Sequence, residues 1–188
     1  MKITDLAIPG VKLVEPVVHA DARGFLMESF RQSAIAAAGG PAAFVQDNHS
    51  LSTARFTVRG MHFQVPPRAQ AKLVRVVRGA LLDVALDLRV GSPAFGRHVA
   101  VELSAANRKQ LLVPAGCAHG FCTLEPDTEV LYKVDAEYAR EHERGCRWND
   151  PALAIAWPCG EAEAVLSERD RALPRLAELP AFFRWSAT

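Results

Sequence analysis

The sequence predicts an all-β protein, an antiparallel sandwich or barrel, and three observations carry that expectation. Short runs rich in β-branched and aromatic residues recur along the chain, turn-forming pieces separate them, and helical periodicity is weak. The clearest run spans 80 to 89. Ala80, Leu82, Val84, Leu86 and Leu88 make one face apolar, while Leu81, Asp83, Ala85, Asp87 and Arg89 make the other mostly polar. That period of two predicts a half-buried strand.

In chain order, strands are expected at KLVEPVVH, GFLMESF, FVQDNHSLS, around RGMHFQ, at KLVRVV, at 80 to 89, and at RHVAVELS, KQLLVP, AHGFCTL and EVLYKV. The separators DARG, VPPRAQ, VGSPAFG, SAANRK, PAG and EPD supply turn residues. SAIAAAGG at 33 to 40 predicts a short helix with Ser33 as its N-cap and glycines at its end. SERDRALPRLAEL predicts another, starting at Ser167 and interrupted by Pro174. No Gly/Ser linker precedes the tail, so 160 to 188 is expected as a packed extension of a single domain, 1 to 188.

Composition bounds the function. A chain of 188 residues, 49% hydrophobic and 23% charged, has the material for one globular core. A net charge of +1 argues against a nucleic-acid partner, yet leaves room for a local basic pocket that takes a small anion. Neither a signal-peptide core nor an apolar run of membrane-spanning length is present, so a cytoplasmic location without a membrane partner is expected. Cys117, Cys122, Cys146 and Cys159 lack C-x-x-C spacing and are expected as reduced thiols.

The chemistry centres on RGMHFQ, residues 59 to 64. Pro114, Gly116 and His119 reproduce the P-x-G-x-x-H half of the cupin metal-site pattern, whereas the H-x-H half is altered. Gln64 stands at the second histidine position and Lys72 at the glutamate position. A carboxamide is a poor transition-metal ligand and an ammonium repels a divalent cation. A cupin-like double-sheet jelly roll with no metal and no cofactor is therefore expected. Its chemistry would use a histidine base, a cation at a developing oxyanion and a tyrosine acid, which suits proton abstraction beside a carbonyl. Tyr132 and Asp170 are the candidates for the acid and for the group that orients the imidazole.

These residues belong to a longer ordered set. D-x-RG-F-x-x-E at 21 to 28, FVQDNHS, RGMHFQ, AQAKLVRVVRG, DVALDLRVGSPAFG, PAGCAHGF and ERGCRWNDPALAIAWP span nearly the whole chain. The set resembles the dTDP-4-dehydrorhamnose 3,5-epimerase family, homodimeric jelly rolls that invert C3 and C5 of a dTDP-4-keto-6-deoxy sugar. The resemblance implies His62 as base, Asp170 as its dyad partner, Tyr132 as proton donor and Lys72 near the enolate oxygen. It further implies contacts to nucleotide, diphosphate or sugar from Arg23, Glu28, Gln46, Asn48, Arg59, Lys72, His119, Glu143 and Arg169, with Tyr138 stacked on the thymine.

The chain departs from the family in places. Met61 replaces a usual leucine at similar volume. Arg169 replaces a lysine and changes the reach of a phosphate contact. Arg140 replaces a proline next to the stacking loop, removing that ring's rigidity. Strict alternation would also set Arg59 opposite His62, and a bulge or strong twist at Gly60 would bring both to one face.

The bland readings are a buried strand histidine for His62, a snorkelling edge-strand lysine for Lys72, and solvated charges around Asp170. Rival functions are single-carbon epimerisation of a related sugar, a metal-dependent cupin enzyme, and a non-catalytic sugar-nucleotide-binding jelly roll. Loss of the metal ligands disfavours the second; retention of His62 and Tyr132 disfavours the third.

Overall fold

In the computed structural model, which describes residues 1 to 186, most of the chain is built into two antiparallel sheets. The last two residues of the expected extension lie outside the described residues. The strands are β1 (Lys2–Asp5), β2 (Lys12–Glu15), β3 (Val18–Asp21), β4 (Gly24–Met27), β5 (Gln46–Ser52), β6 (Val58–Gln64), β7 (Lys72–Arg78) and β8 (Ala80–Asp87). They continue as β9 (Arg89–Val90), β10 (His98–Ser104), β11 (Gln110–Val113), β12 (Cys117–Thr123), β13 (Thr128–Val134), β14 (Glu143–Gly145) and β15 (Phe183–Arg184). One sheet runs β1-β2-β11-β7-β13-β5 and the other β10-β8-β12-β6-β14, the double-sheet architecture that the strand spacing predicts. The KLVEPVVH run divides at Pro16: β2 stays in the large sheet, while β3 pairs with β4 as a separate hairpin.

Two helical expectations fare differently. Helix α1 (Gln32–Ala37) begins one residue before Ser33 and has Arg31 at its N-cap with no side-chain hydrogen bond, so Ser33 is not the cap. It is held instead by Ile35, fully buried against Val14, Leu73 and Leu112 on the outer face of the large sheet. Helix α2 (Glu168–Arg171) does start after Ser167, whose hydroxyl accepts the Asp170 N–H at 3.1 Å. This is the capping role that a serine at that position performs.

The run at 80 to 89 is a correction. β8 lies between β10 and β12 and is buried along nearly its whole length on both faces, not half-buried. Its apolar face, with Val84, Leu86 and Leu88, turns away from the sandwich interior and is covered by Phe183, Leu176, Leu179 and Phe182 of the C-terminal segment. Full burial of each such side chain contributes about 1.5–3 kcal/mol, and this covering is why an outward face can be apolar. The other face turns inward: Leu81 and Ala85 join Val76, Leu103, Leu111 and Phe121 in the main core, and Asp83 and Asp87 are buried beside them. Asp87 survives there because Arg89 and Ser92 donate to both of its oxygens.

The interior therefore divides. Between β10–β8 and β2–β11–β7 it is mainly hydrocarbon around the buried Asp83 and Asp87, whereas between β12–β6–β14 and β7–β13–β5 it collects most of the titratable side chains.

Candidate active site

β6 carries the centre of the site. Its partner β12 pairs His119 with His62, then Phe121 with Arg59, so β12 advances from 119 to 121 while β6 runs from 62 back to 59. One extra residue on β6 makes a bulge, and the bulge turns Arg59 and His62 to the same face. Gly60 permits it: its φ is +126°, and a Cβ there would lie 2.5 Å from the Gly120 Cα. Arg59 reaches back to β5, donating to Ser52 Oγ at 3.1 Å and to the Leu51 carbonyl at 3.0 Å.

His62 Nε2 lies 2.6 Å from Asp170 Oδ1, a contact that spans 108 residues of sequence. Burial alone would push the Asp170 carboxyl up, but hydrogen bonds from His62, the Gly60 backbone and the Ser167 region hold it below the ordinary aspartate value. An ionised carboxylate only accepts, so Nε2 donates to it, and Nδ1 is the ring nitrogen turned away from the aspartate. The imidazole is 27% exposed and its aspartate 6%, which leaves the ring open to a ligand and its orienting group shielded.

Lys72 is not on an edge. β7 lies between β11 and β13, and the lysine side chain points into the polar half of the interior with Nζ 3.4 Å from the His62 carbonyl. Desolvation lowers its pKa to about 8 against the opposing charges of Asp83 and Glu143. A cavity beside it is lined by Gln46, Asn48, Gln64, Lys72, Tyr132, Tyr138 and Glu143. Tyr132 is raised above the ordinary phenol value, chiefly by burial, so it holds a proton at neutral pH.

At the rim, Tyr138 Oη donates to Glu143 Oε2 at 2.5 Å, and Arg169 donates to the same oxygen at 2.7 Å. Glu143 stays below the usual glutamate value because these donors and the nearby His62 outweigh its burial.

A second histidine–carboxylate pair lies deeper. His119 Nε2 is 2.7 Å from Asp83 Oδ1, the ring is 8% exposed, and the aspartate is fully buried with Oδ2 unpartnered. Asp83 escapes the sequence reading because alternation assigns it to solvent. The usable signal is that a buried histidine on β12 needs a partner from the strand beside it.

The structure thus gathers His62, Asp170, Lys72, Tyr132, Gln46, Asn48, Arg59, His119, Tyr138, Glu143 and Arg169 on one side of the sandwich. Arg23 and Glu28 are elsewhere. Arg23 sits on the β3–β4 hairpin, 90% exposed and paired with Asp21, and Glu28 pairs with Arg31. Neither lines the cavity beside Lys72. Gln64 does not present a metal-binding group, since both ends of its amide are engaged by backbone. Among the described residues no cluster of three or more His, Cys, Asp or Glu side chains could hold a metal ion. The four cysteines are free thiols.

Known proteins share both the sequence and this architecture. A family model described as dTDP-4-dehydrorhamnose 3,5-epimerase matches residues 5 to 178. The dTDP-4-dehydrorhamnose 3,5-epimerase of Sinorhizobium fredii is 51% identical over 98% of this chain and 94% of its own length. An epimerase from Legionella pneumophila, solved in complex with dTDP-4-keto-L-rhamnose, superposes with a TM-score of 0.93 at 39% identity, covering 99% of each chain. ChmJ, a 3'-monoepimerase from Streptomyces bikiniensis solved with dTDP-quinovose, gives 0.85 at 39% identity over 92% of this chain and 86% of its own. With a family model matching residues 5 to 178 and sequence identity of this order along nearly its whole length, the chain belongs to the dTDP-4-dehydrorhamnose 3,5-epimerase family, whose members are isomerases.

Proposed function

We propose that the protein converts dTDP-4-dehydro-6-deoxy-D-glucose to dTDP-4-dehydro-L-rhamnose by inverting C3 and C5, within dTDP-L-rhamnose biosynthesis. The observation that carries this reading is the His62–Asp170 pair, its imidazole 27% exposed, with the Lys72 ammonium 3.4 Å from the His62 carbonyl and a cavity beside Lys72 that Tyr132 also lines. His62 Nδ1 takes the proton from the carbon beside the C4 carbonyl, and the C–H electron pair moves into an enolate whose oxygen faces the Lys72 ammonium. Tyr132 then delivers a proton to the opposite face of the same carbon, and the carbonyl re-forms. His62 releases its proton to water and the tyrosine regains one, so the sequence is an isomerisation with no net redox change. No metal or nucleotide cofactor takes part.

The resemblance supports the binding contacts. Arg59, Arg169 and His119 contact nucleotide, diphosphate or sugar, and guanidinium groups can bond phosphate oxygens in pairs. Gln46, Asn48 and Glu143 contact base or sugar, and Tyr138 stacks on the thymine. Arg23 and Glu28 reach the site from a second copy of the chain. Their hairpin carries Phe25 and Leu26 at 55% and 75% exposure, an apolar tip suited to burial in a homodimer. The protein works in the cytoplasm, and no helix among the described residues is long and apolar enough to cross a membrane.

The rival reading, inversion at a single carbon, is favoured by the likeness to a 3'-monoepimerase. Incubation with dTDP-4-keto-6-deoxyglucose in deuterated water decides the matter, with exchange read by NMR. Deuterium at both C3 and C5 supports the proposal, deuterium at one selects the rival, and none at either from folded protein overturns both for this substrate.

A further inference from the structure

The segment from 136 to 139, Ala-Glu-Tyr-Ala, leaves the end of β13 and carries Tyr138 to the rim. It is irregular backbone, and its polar groups need partners that no strand supplies. Glutamine side chains supply them. Gln70 Nε2 donates to the Ala136 carbonyl at 2.6 Å. Gln64 Nε2 donates to the Glu137 carbonyl at 3.3 Å and to the Arg68 carbonyl at 2.7 Å, while its Oε1 accepts the Ala139 N–H at 2.7 Å. Gln46 Oε1 accepts the Tyr138 N–H at 2.9 Å, and its Nε2 donates to Asn48 Oδ1. Every residue of the segment gives one backbone group to a glutamine amide.

Gln64 is central among the three. It is 3% exposed, both ends of its amide are used, and it lies on β6 two residues after His62. It is opposite Glu143, which holds the Tyr138 hydroxyl. We propose that Gln64 is a positioning residue: its carboxamide ties the Tyr138 segment to the strand of the base, so that the ring is preorganised as a platform for the planar base of a nucleotide. Gln46 and Gln70 extend the same clamp from β5 and from the turn before β7. It also explains why a glutamine occupies a position unsuited to metal. The inference rests on the reading of Tyr138 as a stacking residue.

The test uses the full-length protein, dTDP as binding probe, and turnover of dTDP-4-keto-6-deoxyglucose. Gln64→Glu keeps the side chain's shape but, when ionised, cannot donate to Arg68 or Glu137. The dissociation constant for dTDP and KM should each rise about tenfold, as expected for leaving buried carbonyls unpaired, with kcat changed by less than about threefold. Because Gln64 acts through Tyr138, adding Gln64→Glu to Tyr138→Ala should weaken dTDP binding by no more than about twofold further. Gln70→Ala, at the half-buried end of the clamp, should shift KM in the same direction by a smaller factor and stands in should Gln64→Glu fail to fold. A fall in kcat with KM unchanged, fully additive losses in the double variant, or unaltered dTDP affinity in Gln64→Glu and Gln70→Ala would each overturn the clamp. Unaltered affinity in Tyr138→Ala would instead remove the stacking reading on which it rests.

Discussion

His62 and His119 face each other across the β6–β12 ladder, and each has Nε2 within hydrogen-bond distance of an aspartate, yet one ring is 27% exposed and the other 8%. The difference comes from where the aspartates originate. Asp83 projects from β8, the strand beside His119, so that pair is nearly buried between the strands. Asp170 arrives from the helix that Ser167 caps, on the C-terminal segment, and it shields one edge of the His62 ring while leaving the other open. On the proposed mechanism, the same two functional groups serve as a base in one place and as a fixed hydrogen-bonded pair in the other. Access separates them, and hydrogen-bond chemistry does not.

The largest effect expected from breaking this contrast is at His62. His62→Ala should lower epimerisation by about a thousandfold or more, the upper range for loss of a general base, while dTDP binding measured by calorimetry stays close to that of the parent protein. Retained turnover would move the base elsewhere. Asp170→Asn comes next, with a loss of about a hundredfold, because a neutral amide no longer fixes the tautomer that leaves Nδ1 free. The Asp170 carboxyl lies below its ordinary value, so its contribution to stability is present above that value and is lost as pH falls through the depressed one. Asp170→Asn should therefore flatten the acid limb of a stability–pH curve, and an unchanged limb would contradict the assignment.

Lys72 lies close to both pairs: its Nζ is 3.4 Å from the His62 carbonyl, and Asp83, with Glu143, favours its charge. Turnover should fall as pH rises through about 8, where the ammonium is lost. Stability should move the other way between that point and the ordinary lysine value, because there the unfolded chain binds the proton that the folded chain has released. Asp83→Asn removes one supporting charge. It should shift the alkaline limb of the rate profile to lower pH and cost about 1–3 kcal/mol of stability, readable by denaturant unfolding. A limb that stays in place would show that Asp83 acts on His119 alone.

How much of this was legible in the sequence depends on the distance over which each residue finds its partner. Strand positions and turns were legible because alternation and turn chemistry are local, and even the shared face of Arg59 and His62 was foreseeable once Gly60 was read as a bulge. Ser33 misled because packing of Ile35, not capping, fixes the start of its helix. The β8 face was misassigned because only the docked C-terminal segment makes its outward side apolar. Asp170 was reachable through family resemblance but not through spacing, with 108 residues between it and His62. The glutamine clamp on 136 to 139 left no trace in pattern, since glutamines at 46, 64 and 70 look like ordinary polar positions until the fold brings them to one loop.

The most direct measurement compares His62→Ala with His119→Ala, each saturated with dTDP-4-keto-6-deoxyglucose in deuterated water, with deuterium at C3 and C5 followed by NMR. His62→Ala should incorporate none on the timescale of parent turnover, while His119→Ala should still incorporate deuterium at both carbons at a raised KM. Incorporation by His62→Ala together with its loss in His119→Ala would contradict this assignment and make the buried histidine the base.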